Sequence, residues 1–99
     1  MKITLKDAED MDRYFFGPNA NKSLIYTNIH QCVEKGILNK LEEVHFCTIT
    51  FDNGDETIDM VCVKEDYSKN LDNVLKWYEN TDQFEKCIQV TTLKKRIDE

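Results

Sequence analysis

One proline and three glycines in 99 residues are too few for a flexible linker or a low-complexity segment. No run of 18 apolar residues occurs, which excludes a membrane-spanning helix. CxxC and HxxxH spacings, glycine-rich phosphate loops, nucleophile elbows and dinucleotide fingerprints are all missing, so the usual sequence marks of metal sites, nucleotide enzymes and hydrolases are not there. Basic residues are outnumbered, 13 against 19 acidic ones, and the net charge of −6 removes the footprint that a nucleic acid or an anionic membrane requires. The basic cluster Lys94, Lys95 and Arg96 runs straight into Asp98 and Glu99 and is too small to change this. The beginning of the chain turns acidic before an apolar signal core could form, so the expected compartment is the cytoplasm.

What is present is enough for one folded domain. Hydrophobic residues make up 40% of the chain and aromatics 10%, which supplies a single core at this length. Cys32, Cys47, Cys62 and Cys87 sit inside apolar periodic stretches rather than in loops, as reduced thiols acting as small hydrophobes would.

Residues 4–7, TLKD, have the form of a capping box with Asp in the place of Glu. Leu5, Ala8, Met11, Asp12 and Phe15 follow at helical spacing, so a first helix is expected over residues 5–16, stopped by Gly17 and Pro18. Residues 1–4 alternate and offer a competing short strand. Ser23 is expected to cap a second helix in which Ile25, Ile29, Cys32 and Val33 share a face, with Gly36 as its stop. Asp66 opens a third, where Tyr67, Leu71, Val74, Leu75 and Tyr78 form one stripe. Residues 87–93, CIQVTTL, are rich in β-branched side chains and read as a strand ahead of a frayed, charged tail, although Phe84, Cys87 and Ile88 also fit one turn of helix.

The strongest local signal is Asn53-Gly54 between two β-forming runs, residues 43–51 and 56–63. The expected fold is therefore α+β: a small antiparallel sheet, made of this hairpin and the C-terminal strand 87–93 with residues 1–4 as a further strand, covered on one face by two or three helices. With the extra strand, the element order approximates a ferredoxin-like split βαβ with an added helix, a likeness of order alone that implies no function.

A two-residue turn at Asn53 and Gly54 pairs Phe51 with Glu56, Ile49 with Ile58, Cys47 with Met60 and His45 with Cys62. His45, Cys47 and Cys62 would then share the apolar face, leaving Val44, Phe46, Thr48, Thr50, Thr57 and Asp59 on the other. Those three, joined by Cys32, Cys87 or His30, are the candidates for metal ligands, but the plainer reading is a sulfur-containing core. No cofactor and no metal is expected. Nothing completes a catalytic constellation, so an enzyme is not expected either.

Charge placement is the most informative feature. Residues 41–62 hold six acids, Glu42, Glu43, Asp52, Asp55, Glu56 and Asp59, and no Lys or Arg, whereas the rest of the chain balances 13 acids against 13 bases. The expectation is a non-enzymatic binding module or inhibitor whose acidic hairpin, through these six residues, occupies a basic surface of another protein. A nucleic-acid-binding or defence protein fits as target, and a phage or mobile-element inhibitor fits as provenance. The alternatives are a self-associating domain that forms a homodimer through a sheet edge, and a small-ligand or metal sensor built on His45 and the cysteines.

Overall fold

Strand β1, Lys2–Leu5, turns Ile3 and Leu5 inward and Lys2 and Thr4 outward. The structure, a computed structural model, describes residues 2–18, 20–52 and 57–97. Because β1 takes Leu5, helix α1 begins later than its apolar spacing suggests and spans Ala8–Phe16. Asp7, not Thr4, caps it by accepting from the Asp10 amide at 2.9 Å, and the Asp10 carboxylate reaches back to the Lys6 amide at 3.2 Å.

Helix α2 spans Lys22–Leu38, and its cap is Asn21 rather than Ser23, whose Oδ1 accepts from the Leu24 amide at 3.1 Å. Gly36 does not stop it. The helix runs on to a Schellman ending, in which the Leu41 amide donates to the Gly36 carbonyl at 2.8 Å and the Lys40 amide to Ile37 at 3.3 Å. Strand β2, Glu43–Phe51, and strand β3, Thr57–Val63, form the hairpin. The Asn53-Gly54 turn and the acids Asp55 and Glu56 lie outside the described residues. A 3-10 turn, Lys64–Asp66, leads into helix α3, Tyr67–Asn80, which buries Tyr67, Leu71, Val74 and Tyr78 as its stripe requires.

The expected C-terminal strand is helix α4, Phe84–Ile97. A strand would send Val90 and Leu93, three residues apart, to opposite faces. As a helix, both face the interior. The threonine hydroxyls, which weaken helices by competing for the backbone, bond back along this one: Thr91 to the Cys87 carbonyl at 2.8 Å and Thr92 to Ile88 at 2.9 Å. Among the described residues there is therefore no fourth strand to complete a split βαβ pattern.

The sheet has the order β1-β2-β3 and is mixed rather than antiparallel. Two helices separate β1 from β2, so the chain re-enters the sheet in the same direction and β1 pairs parallel, Ile3 beside Ile49 and Leu5 beside Phe51. Between β2 and β3 the expected register holds from Thr50–Thr57 through Cys47–Met60 and then slips by one. His45 faces Val61, and Cys62 faces Val44 instead of His45. The extra residue is Phe46, the mark of a β-bulge.

That bulge changes which side chains are inside. Strict alternation would send Val44 and Phe46 to water along with Thr48 and Thr50. With the extra residue Phe46 and Cys47 are both buried, Val44 joins them, and His45 is expelled to the open face.

The buried residues form two clusters joined by α2. One lies between the sheet and α1 and α2, around Ile3, Leu5, Ile25, Phe46, Cys47, Ile49 and Phe51. The other gathers α2, α3 and α4 around Val33, Val44, Leu71, Val74, Tyr78 and Val90. Ile29 and Cys32 pack against both, so α2 is the spine of the fold. The opposite face of the sheet, with Lys2, Thr4, Thr50, Thr57 and Asp59, is exposed.

Candidate functional site on the hairpin

The hairpin presents an open face and an outer edge. On the open face the register sets Thr48 between Lys2 and Asp59, and Thr50 between Thr4 and Thr57. Thr48 Oγ1 donates to Asp59 Oδ1 at 2.9 Å, and His45 Nε2 lies 2.9 Å from that hydroxyl and 3.3 Å from Asp59 Oδ1. Only the bulge brings His45 to this side. Accepting the Thr48 hydroxyl, then the His45 ring, holds the Asp59 carboxyl below the usual carboxylate range.

Histidine, hydroxyl and carboxylate do not make a hydrolytic relay here. In such a relay the imidazole stands between nucleophile and acid, using one ring nitrogen for each. Here Thr48 and Asp59 meet the same nitrogen, and the hydroxyl proton already goes to the carboxylate. The cluster is a cross-strand hydrogen-bonded group at the surface.

The candidate metal ligands of the sequence, His45, Cys47 and Cys62 with Cys32, Cys87 or His30, are not brought to one point. Cys47 is fully buried on the helix side of the sheet, while His45 points the other way. Cys62 faces the helices as well, accepting from Asn70 Nδ2 at 2.9 Å, and Cys32 donates to the His45 carbonyl, not to its ring. Burial pushes the Cys32, Cys47 and Cys62 thiols up, away from the thiolate that metals bind. His30 is only 6% exposed and sits in the helical cluster, its Nδ1 2.8 Å from the Tyr78 hydroxyl and its Nε2 3.6 Å from Glu34. Among the described residues no three His, Cys, Asp or Glu side chains are grouped as a metal would need.

The described acids do not form one patch. Glu42 and Glu43 are exposed at the open end of the hairpin, and Asp52 is exposed at the turn end. Nine residues along β2 separate Glu43 from Asp52, about 30 Å at ~3.3 Å per strand residue. Asp59 lies nearer the turn end, with its side chain 64% exposed. Asp55 and Glu56 lie outside the described residues.

The sequence offered a sheet edge for self-association, and the strand order shows that the hairpin supplies one, the outer edge of β3. Strand order leaves β3 terminal, and its seven residues, TIDMVCV, include neither lysine nor proline to guard the edge. Ile58 is 40% and Val61 49% exposed, one on each face. None of the described helices is long and apolar enough to cross a membrane. No family model, curated protein or solved structure matches the chain.

Proposed function

We propose that this chain is a non-enzymatic protein-binding module, and that it binds through the hairpin, with the β3 edge and the acids near the turn against a basic surface of another protein. The observation that carries the reading is the β3 edge itself. It is terminal in the sheet, unguarded by lysine or proline, and flanked by exposed Ile58, Val61 and Asp59. A partner strand would satisfy its free backbone groups, its apolar side chains add contact, and the carboxylates steer a cationic partner toward it. A nucleic-acid-binding or defence protein has the required basic surface, and occupying its groove would inhibit it.

The same edge favours a second reading, a homodimer in which two copies of β3 pair. Sedimentation across concentration tests this. For the first reading the experiment is affinity capture from the native host at low and moderate salt, followed by hydrogen exchange on the purified complex. The expected result is protection concentrated in residues 57–63; protection confined to α3 and α4 would overturn it.

A further inference from the structure

The two apolar clusters leave a cleft of about 490 Å³ between α1, α2, α3 and β3. Phe15 and Phe16 of α1, Ile29 of α2 and Met60 of β3 are among the apolar side chains that line it. Helix α1 buries none of its residues fully, although Met11, Tyr14 and Phe15 pack against the sheet cluster, and Phe16 is left 83% exposed. The apolar stripe of α1 thus has a partner on one side only. An apolar cleft gives water few hydrogen-bond partners, and this volume falls within the ~300–1,000 Å³ of small-ligand sites.

Charge narrows the class of occupant. Although the chain carries −6 overall, no Asp or Glu lines the cleft among the described residues, and the one charged side chain there is Lys22. Asn70 also faces it, its amide nitrogen fixed by Cys62 Sγ at 2.9 Å and the Asp66 carbonyl at 3.0 Å. An apolar cation would find no counter-charge, whereas an apolar anion finds Lys22 at the first position of α2.

We propose that this cleft binds a small amphiphilic organic anion, its aromatic or alkyl body between α1 and β3 and its carboxylate or sulfonate at Lys22. The site does not depend on the hairpin's partner, although Met60, Val61 and Cys62 belong to both surfaces.

The test is fluorescence titration of the intact chain with anilinonaphthalene sulfonate, under conditions where unfolding is cooperative. One saturable site per chain is expected. Lys22→Glu should weaken it at least tenfold while leaving the fold in place, since an acid at a helix N-terminus is favourable. Lys22→Arg should retain it. Asn73→Trp, on an exposed lining position of α3, should fill the mouth and abolish binding. Dodecanoate should displace the probe at a concentration at least tenfold lower than dodecanol does. Absence of a saturable site, binding indifferent to Asn73→Trp, or equal affinity in Lys22→Glu would each overturn the proposal, as would displacement by the alcohol and the acid alike. None of these outcomes bears on the hairpin reading, which hydrogen exchange on the β3 edge decides separately.

Discussion

The ring of Tyr67 occupies the space where a side chain on Gly36 would stand. A Cβ placed there would meet the Tyr67 hydroxyl and its Cζ, the latter at 2.7 Å, with Val44 Cγ1 at 2.9 Å. The hydroxyl itself donates to the Leu41 carbonyl at 3.0 Å, so the tyrosine is held from its far end. Gly36 is present because helix, tyrosine and first hairpin strand meet there, and not to end the helix.

Gly36→Ala therefore separates two effects. Helix propensity alone favours alanine by about 1 kcal/mol. Forcing a methyl into the Tyr67 contact costs about 1–3 kcal/mol, with roughly 1 more if the bond to Leu41 is lost. The variant should be less stable than the parent by about 1–3 kcal/mol in urea denaturation, as the larger cost wins. Tyr67→Phe removes the nearest atom and should recover part of the loss in a double-mutant cycle.

Two further helix ends carry unusual backbone. Lys40 has φ 53° and Asp82 φ 57°, each at the left-handed position of a Schellman ending where glycine is common. After α3 the Gln83 amide donates to the Tyr78 carbonyl at 2.9 Å, repeating the pattern that closes α2. Lys40→Gly should raise stability by about 1 kcal/mol, and Asp82→Gly by less, because aspartate tolerates this conformation better than lysine. Thermal melting of both single variants checks the order.

How much of this was legible follows from the range of each signal. The α3 stripe and the hairpin depend on neighbours in sequence, and both were readable. The bulge at Phe46 was not, because it comes from a competition: only an extra residue lets Val44 and Phe46 reach the same covered face as Cys47, Ile49 and Phe51. Helix α4 did have a signal. Cys87, Val90, Leu93 and Ile97 recur at three, three and four residues, but the basic residues before Ile97 suggested a frayed tail and hid the last of them. Gly36 read as a stop because the ring that requires it comes from Tyr67, 31 residues later. The cleft at Lys22 and the open β3 edge depend on how distant elements sit together, which periodicity does not encode.

His30 predicts an acid-sensitive interior. Burial lowers its pKa from the ordinary 6.5, Lys86 of α4 adds to that, and Glu34 opposes it. The Tyr78 hydroxyl, 2.8 Å away, serves the neutral ring. Since the folded value is lowered, the unfolded chain takes up this proton first as pH falls. The stability that neutral His30 confers is complete above pH 6.5 and declines below it. Melting temperature should drop between about pH 7 and pH 5, and His30→Gln should flatten that slope.

On the open face, Thr48 is the first cause of the low Asp59 pKa, ahead of His45. Thr48→Val keeps the strand's shape and removes the donor, so the Asp59 carboxyl should titrate at higher pH. Carboxyl-detected NMR reads it directly. An unchanged titration would assign the effect to His45 instead.

The hairpin's charges should act on association more than on the bound complex. Asp52 and Asp59 are exposed, and Asp55 and Glu56 complete the acidic run between them. Charges at the rim of an interface raise the encounter rate through a field that salt screens, whereas desolvated contacts set dissociation. Replacing Asp52, Asp55, Glu56 and Asp59 by their amides should slow association with the captured partner by about tenfold or more and flatten its salt dependence. Dissociation should change little. Reversing Glu9 and Asp12 on α1 serves as the control, since both are exposed and lie on a helix rather than on the hairpin. Surface plasmon resonance at two ionic strengths separates the cases. Equal association rates for the parent and the fourfold variant would remove the steering role of the hairpin acids, and the homodimer through β3 would become the leading reading.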